Sequence, residues 1–318
     1  MDVANNTPPL LAAVEGGGTK FVCAVGRSPT HVLDRITIPT TDPATTLRGC
    51  VEFFLRMADQ HGRIMALGIA CFGPLQLRKD APDHGCLQRT PKPGWSGANV
   101  VAPLREALQA AVTLDTDVGA AALAEWRLGA GRGLGSLAYV TVGTGIGGAV
   151  VPALQAQQRL MHAEMGHLLP RRHPLDTGFA GVCPFHGDCL EGLASGPAVR
   201  ARWGCDLSAL PADHAGRSII AFYLGQLVAS LALVQSVQRI VFGGGVMSDN
   251  SLLPLVRQAA TGVLGGYLQP LREAATMDDY VTSTMLGQES AITGGLLMAQ
   301  DWLTDSIRPA PAGRTQGA

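Results

Sequence analysis

The segment CPFHGDC, residues 183–189, packs two thiols and an imidazole into seven positions. Cys183, His186 and Cys189 stand two residues apart, a spacing that lets one tight turn aim soft ligands at a single ion. Zinc takes four ligands, so the fourth must come from elsewhere, and HAEMGHLLPRRH just upstream offers His162, His167 and His173. A closed set of two His and two Cys has no open coordination position, so it would hold structure and perform no chemistry. Such an ion would also fix two neighbouring carboxylates, Glu164 before it and Glu191 after it, toward a polar substrate.

Three glycine-rich turns supply a second kind of chemistry. In EGGGTK (15–20) the glycines let backbone N–H groups approach a phosphate, and Thr19 adds a hydroxyl donor. The turn fits neither the Walker pattern nor the dinucleotide fingerprint, because a second apolar strand follows it. Alone it is a weak signal, since a tight hairpin turn explains three glycines more often than a phosphate does. GTGIGG (143–148) repeats the arrangement, so two hairpins could clamp a polyphosphate from both sides, and GGGVM (243–247) offers bare backbone to an adenosine. Asp117, in DTDVGAAALAEW, falls at the end of a predicted strand and just before a predicted helix, where open α/β sheets bind ligands. A carboxylate there can accept the proton of a hydroxyl that attacks a γ-phosphate. Its spacing alone favours an ordinary N-cap aspartate, and Asp115, one pleat earlier, is the rival base. The nucleotide cleft turns the choice toward Asp117 as a base.

The elements that must position these residues follow from periodicity. Residues 10–26 and 137–151 each read as strand, glycine turn, strand, which points to a duplicated architecture. Helical spacing covers 45–62, 100–111 and 119–131, with buried strands at 64–73 and 112–117. Strands alternating with helices imply an α/β fold with a largely parallel or mixed sheet. The expected organisation is a flexible N-terminus over 1–9, a first lobe over 10–118 and a second lobe over 119–290 carrying the metal loop at 162–191. A C-terminal helix at 291–305 and a disordered Pro/Gly/Ala tail at 306–318 complete it.

Composition excludes other classes. A net charge of −1 gives no bulk field for nucleic acid or a membrane surface, so neither is an expected partner. The apolar stretch 219–234 contains Gln226 and is shorter than the ~20 residues of a membrane span, so it is expected as a buried core helix. The N-terminus shows no signal-peptide pattern, and a cytoplasmic location is expected, with the seven cysteines as metal ligands or free thiols. TPKPGW (90–95) reads either as a surface loop with a packed Trp or as a rim near a small polar ligand.

Taken together, EGGGTKFVCAVG, FGPL, TPKPGW, TDV-x-AAAL-x-E, GTGIG, H-x-EMGH, RRHP, CP-x-HGDC-x-EGLASGPA-x-x-ARWG and GGGVM make the chain resemble the ROK family of bacterial sugar kinases, in its fructokinase branch. The resemblance runs from about residue 10 to 300, and it is most specific from His162 to Gly204. It implies the actin-like (ribonuclease H-like), two-lobed α/β sugar kinase fold with duplicated mixed-sheet cores. It implies ATP-dependent phosphorylation of a hexose, D-fructose before others, with ATP, Mg²⁺ and Zn²⁺ as cofactors. Asp117 would be the base. Glu164, His167, His162 and Glu191 would surround the sugar. His167, Cys183, His186 and Cys189 would hold zinc. Gly16, Gly17, Gly18, Thr19, Lys20, Thr144 and Gly145 would face the phosphates, and Pro197, Gly243, Gly244, Gly245, Val246 and Met247 the adenosine. A homodimer is compatible with the resemblance. The chain departs from the family at Gly119, where Asn is usual, at Gln76, where Asp is usual, in the glycine-free 152–160 loop, and at Glu289, Ser290 and Ala291. A kinase of mannose or glucose, or a catalytically weak sugar sensor, are the alternative readings.

Overall fold

A near-continuous run of small and branched apolar residues, LLAAVEG, suits a strand covered on both faces. It forms β1 (Leu10–Gly16), the centre of the first sheet, with nearly every residue buried. A computed structural model describes residues 8–153, 158, 160–248 and 251–307. The termini expected to be flexible thus fall almost wholly outside the described residues, as does most of the 152–160 loop. The first half continues with β2 (Lys20–Ser28), β3 (His31–Pro39), α1 (Pro43–His61), β4 (Ile64–Cys71), α2 (Ala102–Leu108), β5 (Ala111–Thr116) and α3 (Asp117–Arg127). The second half holds β6 (Leu137–Val142), β7 (Ile146–Val151), α4 (Leu190–Ala194), α5 (Gly196–Trp203), α6 (Ala215–Val234), β8 (Ile240–Gly243), α7 (Leu252–Leu264), α8 (Ala274–Tyr280), β9 (Val281–Ser283) and α9 (Ser290–Ile307).

The two sheets repeat one topology. The first has the order β3-β2-β1-β4-β5, with β2 antiparallel to β1 and β4 and β5 parallel to it. The second has the order β7-β6-β8-β9, with β7 antiparallel to β6 and β8 and β9 parallel to it. Register is set at the glycine turns: Gly16 pairs with Phe21, and Val142 with Ile146. The duplication expected from the paired hairpins is therefore present, and both turns open at the carboxyl ends of their central strands. Helix α6 is long and apolar enough to cross a membrane by length and composition, but Ile220, Tyr223, Leu224 and Val228 lie buried in the second core.

Helix α9 does not close the second half. It runs back over the first sheet, where Ile292, Leu296 and Ala299 pack on Leu11, Ala13, Val22, Ala24 and Ala66. Contact this close needs absent side chains. A Cβ on Gly68 would collide with the Gly295 carbonyl, and a Cβ on Gly294 with the Ala120 carbonyl of α3. The alanine-rich face of α3 meets Tyr139, Val241 and Ala291 on its other side. A fully buried carboxylate ties these helices together. Glu125 accepts hydrogen bonds from the amides of Ala130 (2.9 Å), Met285 (3.2 Å) and Leu286 (2.8 Å), and from the hydroxyls of Ser290 (3.1 Å) and Thr284. A buried charge needs this many donors to be tolerated. Glu125 thus joins the end of α3 to the turn that launches α9.

Gly294→Ala should displace α9 from α3 and lower stability by about 3 kcal/mol. Gly262→Ala, on the exposed face of α7 with nothing within 4 Å of its Cβ position, should instead gain about 0.5–1 kcal/mol from helix propensity. Urea unfolding of the two variants checks both directions, and equal effects would contradict the packing described.

Candidate active site

The first glycine turn is held from behind so that its tip stays open. Gly17 donates to Lys20 O (2.9 Å), Thr40 Oγ1 donates to Gly17 O (2.8 Å), and the Thr40 amide donates to Thr19 O (3.0 Å). Gly18, Thr19 and Lys20 remain exposed. Lys92 Nζ, from TPKPGW, reaches Thr40 O at 3.4 Å, so a second lysine stands behind this turn. Trp95 of the same loop belongs to the core: it is buried against Phe21 and Phe72 and donates to Thr41 O. Gly16 is a glycine for packing, since a Cβ there would lie 2.8 Å from Cys71 Sγ and from the Phe21 ring.

The second turn meets the 196–197 and 243–247 segments. Gly143 donates to Gly145 O (2.9 Å) and accepts from the Gly196 amide (2.8 Å), which brings in Pro197 and the start of α5. A Cβ on Gly143 would lie 3.8 Å from the Gly245 amide, so the 143–145 and 243–247 turns are neighbours. Gly244 has φ +90°, and a Cβ would strike the Val142 backbone there, so only glycine fits. Thr144, Gly244 and Gly245 are exposed and Val246 is half-buried. Gly243 and Met247 are placed differently from expectation. Gly243 lies against the Tyr139 hydroxyl, and the Met247 side chain is buried in the second core.

Asp117 opens α3. The helix cap is Thr116, whose Oγ1 accepts from the Gly119 amide at 3.0 Å, so the ordinary N-cap reading of Asp117 is set aside. The Asp117 carboxylate accepts from the Val118 amide at 2.9 Å. Burial pushes its pKa up, the Val118 amide pulls it back, and the charge of Asp115 adds to the rise. Asp115, the rival, lies beneath the first turn of α3, with its carboxylate 2.6–2.7 Å from where a Gly119 Cβ would be. In this chain the Asp115 carboxylate occupies the space that a side chain at Gly119 would need. Glu15, at the end of β1, has its pKa pushed up to about 7 by burial first and by the charge of Asp117 next, with Lys20 pulling it down. Glu15 is a site residue that sequence reasoning passed over. Its signal was an acid directly ahead of a glycine turn at a strand end.

The cysteine–histidine segment assembles as spacing suggested. The ligand atoms of His167, Cys183, His186 and Cys189 all lie within 4.8 Å of one another. His167 Nδ1 stands 3.8 Å from Cys183 Sγ and 3.5 Å from Cys189 Sγ, and His186 Nδ1 stands 3.7 Å from Cys183 Sγ. Sulfur and nitrogen ligands around one tetrahedral ion would be about 3.6 Å apart, so this donor set fits such an ion. Of the three candidate fourth ligands, the structure brings His167 to the cluster. His173 instead accepts from the Leu175 amide and packs on Phe222. His167 faces the thiols through Nδ1, a ligand's position.

The cluster carries the two carboxylates. Glu164 accepts the His167 amide through its backbone oxygen (3.0 Å), at the start of a 3-10 turn over Met165–His167. Its pKa is pushed up to about 7 by burial, then by the charges of Glu191 and Asp117. Glu191, two residues after Cys189, accepts the Ile146 amide at 2.9 Å, and a Cβ on Gly145 would lie 2.5 Å from its Oε2. Glu191 therefore closes the second glycine turn. His162 is buried, with Nε2 against the Leu75 amide. Two departures from the family have local partners: Gln76 accepts from the Arg78 amide (3.1 Å), and Glu289 forms a two-pronged ion pair with Arg35 (3.0 Å).

Comparison with known proteins agrees with this arrangement. A fructokinase from Zymomonas mobilis is 42% identical over 297 residues, covering 92% of this chain and 97% of the relative. A putative fructokinase from Bacillus subtilis is 37% identical, covering 92% of this chain and 96% of the relative. The crystal structure of a ROK hexokinase from Thermus thermophilus superposes with a TM-score of 0.72 at 26% identity, covering 93% of this chain and 99% of that one. The duplicated sheets are the actin-like, two-lobed sugar kinase fold. The model of the ROK family matches residues 11–302, and the chain belongs to that family.

Proposed function

We propose that the chain is an ATP-dependent hexose kinase that converts D-fructose to D-fructose 6-phosphate in the cytoplasm, with Asp117 as general base. The observation that carries the reading is the position of Asp117. It sits at the first turn of α3, its proton affinity raised by burial, and is close enough to Glu15 and Glu164 for their charges to act on one another. Sugar hydroxyls would be held by Glu164, with Glu191 beside it. The exposed turn residues Gly18, Thr19 and Thr144 and the half-buried Gly145 would offer donors to the phosphates, with the adenosine along 244–246 and the start of α5.

Asp117 takes the proton of the terminal hydroxyl as its oxygen attacks the γ-phosphorus. The new O–P bond forms as the bond from the γ-phosphorus to the bridging oxygen breaks, and ADP leaves. A carboxylate of raised pKa is a stronger base, which suits this task. The cleft is itself acidic, so a polyphosphate needs its charge offset there. Mg²⁺, held with Glu15 beside the first turn, would neutralise phosphate charge. Lys20 and the turn amides add to that. His167, Cys183, His186 and Cys189 would hold Zn²⁺, because two thiolates and two imidazoles suit it and such a set is closed to water. The ion would keep Glu164 and Glu191 in place.

Asp117→Asn should lower turnover by about 10³-fold and leave helix content and metal content unchanged. Cys183→Ser should lose the metal and lower the melting temperature together. Steady-state kinetics with elemental analysis separates the two roles. A fully active Asp117→Asn, or a metal-free Cys183→Ser of normal stability and activity, would refute the assignment concerned.

A pH effect follows from Glu15. Its carboxyl titrates at about 7 in the fold against 4.5 when unfolded, so the folded state holds the proton more tightly. The resulting loss of stability is absent below the unfolded value, grows as pH rises from 4.5 to about 7, and is complete above that. Glu15→Gln should therefore stabilise the ligand-free protein relative to wild type above neutrality and not in acid. Urea unfolding of both proteins across this range checks the sign, and a difference independent of pH would contradict it.

A further inference from the structure

His162 is expected, from the family resemblance, to lie near the sugar. Its ring is engaged elsewhere. Its side chain is 6% exposed, and Nε2 accepts a hydrogen bond from the Leu75 amide at 3.0 Å. An N–H can donate only to an unprotonated ring nitrogen, so Nε2 carries a lone pair and the proton of the neutral ring sits on Nδ1. Nδ1 faces Glu164 Oε1 at 3.4 Å. One imidazole therefore bridges the exit of β4 in the first half and the sugar-side carboxylate in the second. The fit is close: a Cβ on Gly73 would lie 2.9 Å from His162 Cε1. The 74–76 segment also pairs with 86–88, since Gln88 donates to Pro74 O and Gln76 to Cys86 O. The same loop touches the metal segment again where Arg89 lies over the Phe185 ring, 5.5 Å from its centroid.

We infer that His162 is a positioning residue. It reads the location of the Gly73–Leu75 turn through Nε2 and aims the Glu164 carboxylate at the sugar through Nδ1–H. The inference rests on the proposed sugar kinase reading. Its physical basis is that Glu164 feels the charges of Glu191 and Asp117 and has the His162 imidazole beside it as a donor. Without the Nδ1 proton the carboxylate would turn away from Glu191 and Asp117. Closing the first half onto the second would then no longer set the sugar's contact. The consequence is a residue that governs sugar affinity without touching sugar.

A double-mutant cycle tests this. Gln places its amide where Nε2 lies, so His162→Gln keeps a partner for the Leu75 amide and loses the donor toward Glu164. It should raise the fructose KM by about tenfold, the loss expected for a hydrogen bond to a charged group, and leave the ATP KM and metal content unchanged. In a Glu164→Gln background the same change should alter the fructose KM by less than about twofold, because the group it acts through is gone. Full multiplication of the two effects would overturn the inference in favour of a direct sugar contact. A wild-type KM in His162→Gln would overturn it in favour of a merely packed histidine. Gly73→Ala approaches from the opposite side: it displaces the ring without altering any sugar-side group, and it should reproduce the raised fructose KM. A normal KM there also counts against the bridge. If wild type turns over no fructose, the proposed function fails, and the cycle is then read from calorimetric binding of whichever hexose binds.

Discussion

The constraint on which the rest of the site depends is electrostatic. Glu15, Asp117, Glu164 and Glu191 come from four elements, and the charge of Asp117 raises the proton affinity of both Glu15 and Glu164, while that of Glu191 raises Glu164 further. Like charges this close do not assemble on flexible segments. Each comes from a rigid start: the end of β1, the first turn of α3, a 3-10 turn and the first turn of α4. The fold supplies these four starts by repeating one sheet topology and opening both glycine turns onto the same cleft. Acidity concentrated in this way favours a neutral polyol and a strong base, and it requires that an incoming polyphosphate be met by amides, lysines and a cation.

The cysteine–histidine cluster answers part of this constraint. Its residues run from 167 to 189, and Glu164 and Glu191 flank it in the sequence. A second brace lies behind it. The Arg202–Asp176 pair is buried (side chains 6% and 5% exposed) and joined at 2.6 Å, with the Tyr223 hydroxyl 2.7 Å from the same carboxylate. Arg202 also donates to Leu193 O, and Arg172 donates to Asp176 O and Phe179 O. This gives physical content to RRHP and ARWG, motifs whose chemistry was not evident from their residue types. They attach the loop after the 3-10 turn to α5 and α6. A buried ion pair fully supplied with partners fixes one geometry, even where its net contribution to stability is small.

Local spacing made much of this legible. The two hairpins, Asp117 before its helix and the clustered His and Cys residues are encoded within short stretches whose residue types have few other uses. What stayed hidden depends on distant pairing. Glu125 looks like any helix glutamate until residues 284–290 are brought to it, about 160 positions along. Helix α9 reads only as a C-terminal helix, yet Gly68 and Gly295 place it on the first sheet and Gly294 against α3. Thr116 outcompeted Asp117 for the cap because two adjacent residues both suit that role. Gly119 looked like a lost asparagine, whereas it makes room for Asp115. Glu15 was overshadowed by the glycines that follow it, and only burial beside Asp117 shows that it matters.

The most direct test of the account is the rate of ADP formation by metal-loaded protein with ATP and Mg²⁺ against fructose, mannose, glucose and N-acetylglucosamine, with the phosphorylated product identified by phosphorus NMR. The account predicts turnover with a clear preference for fructose and phosphate on its terminal hydroxymethyl oxygen. Folded, metal-loaded protein that binds these sugars and releases no ADP with any of them would contradict it, and would leave a sugar-binding protein in place of a kinase.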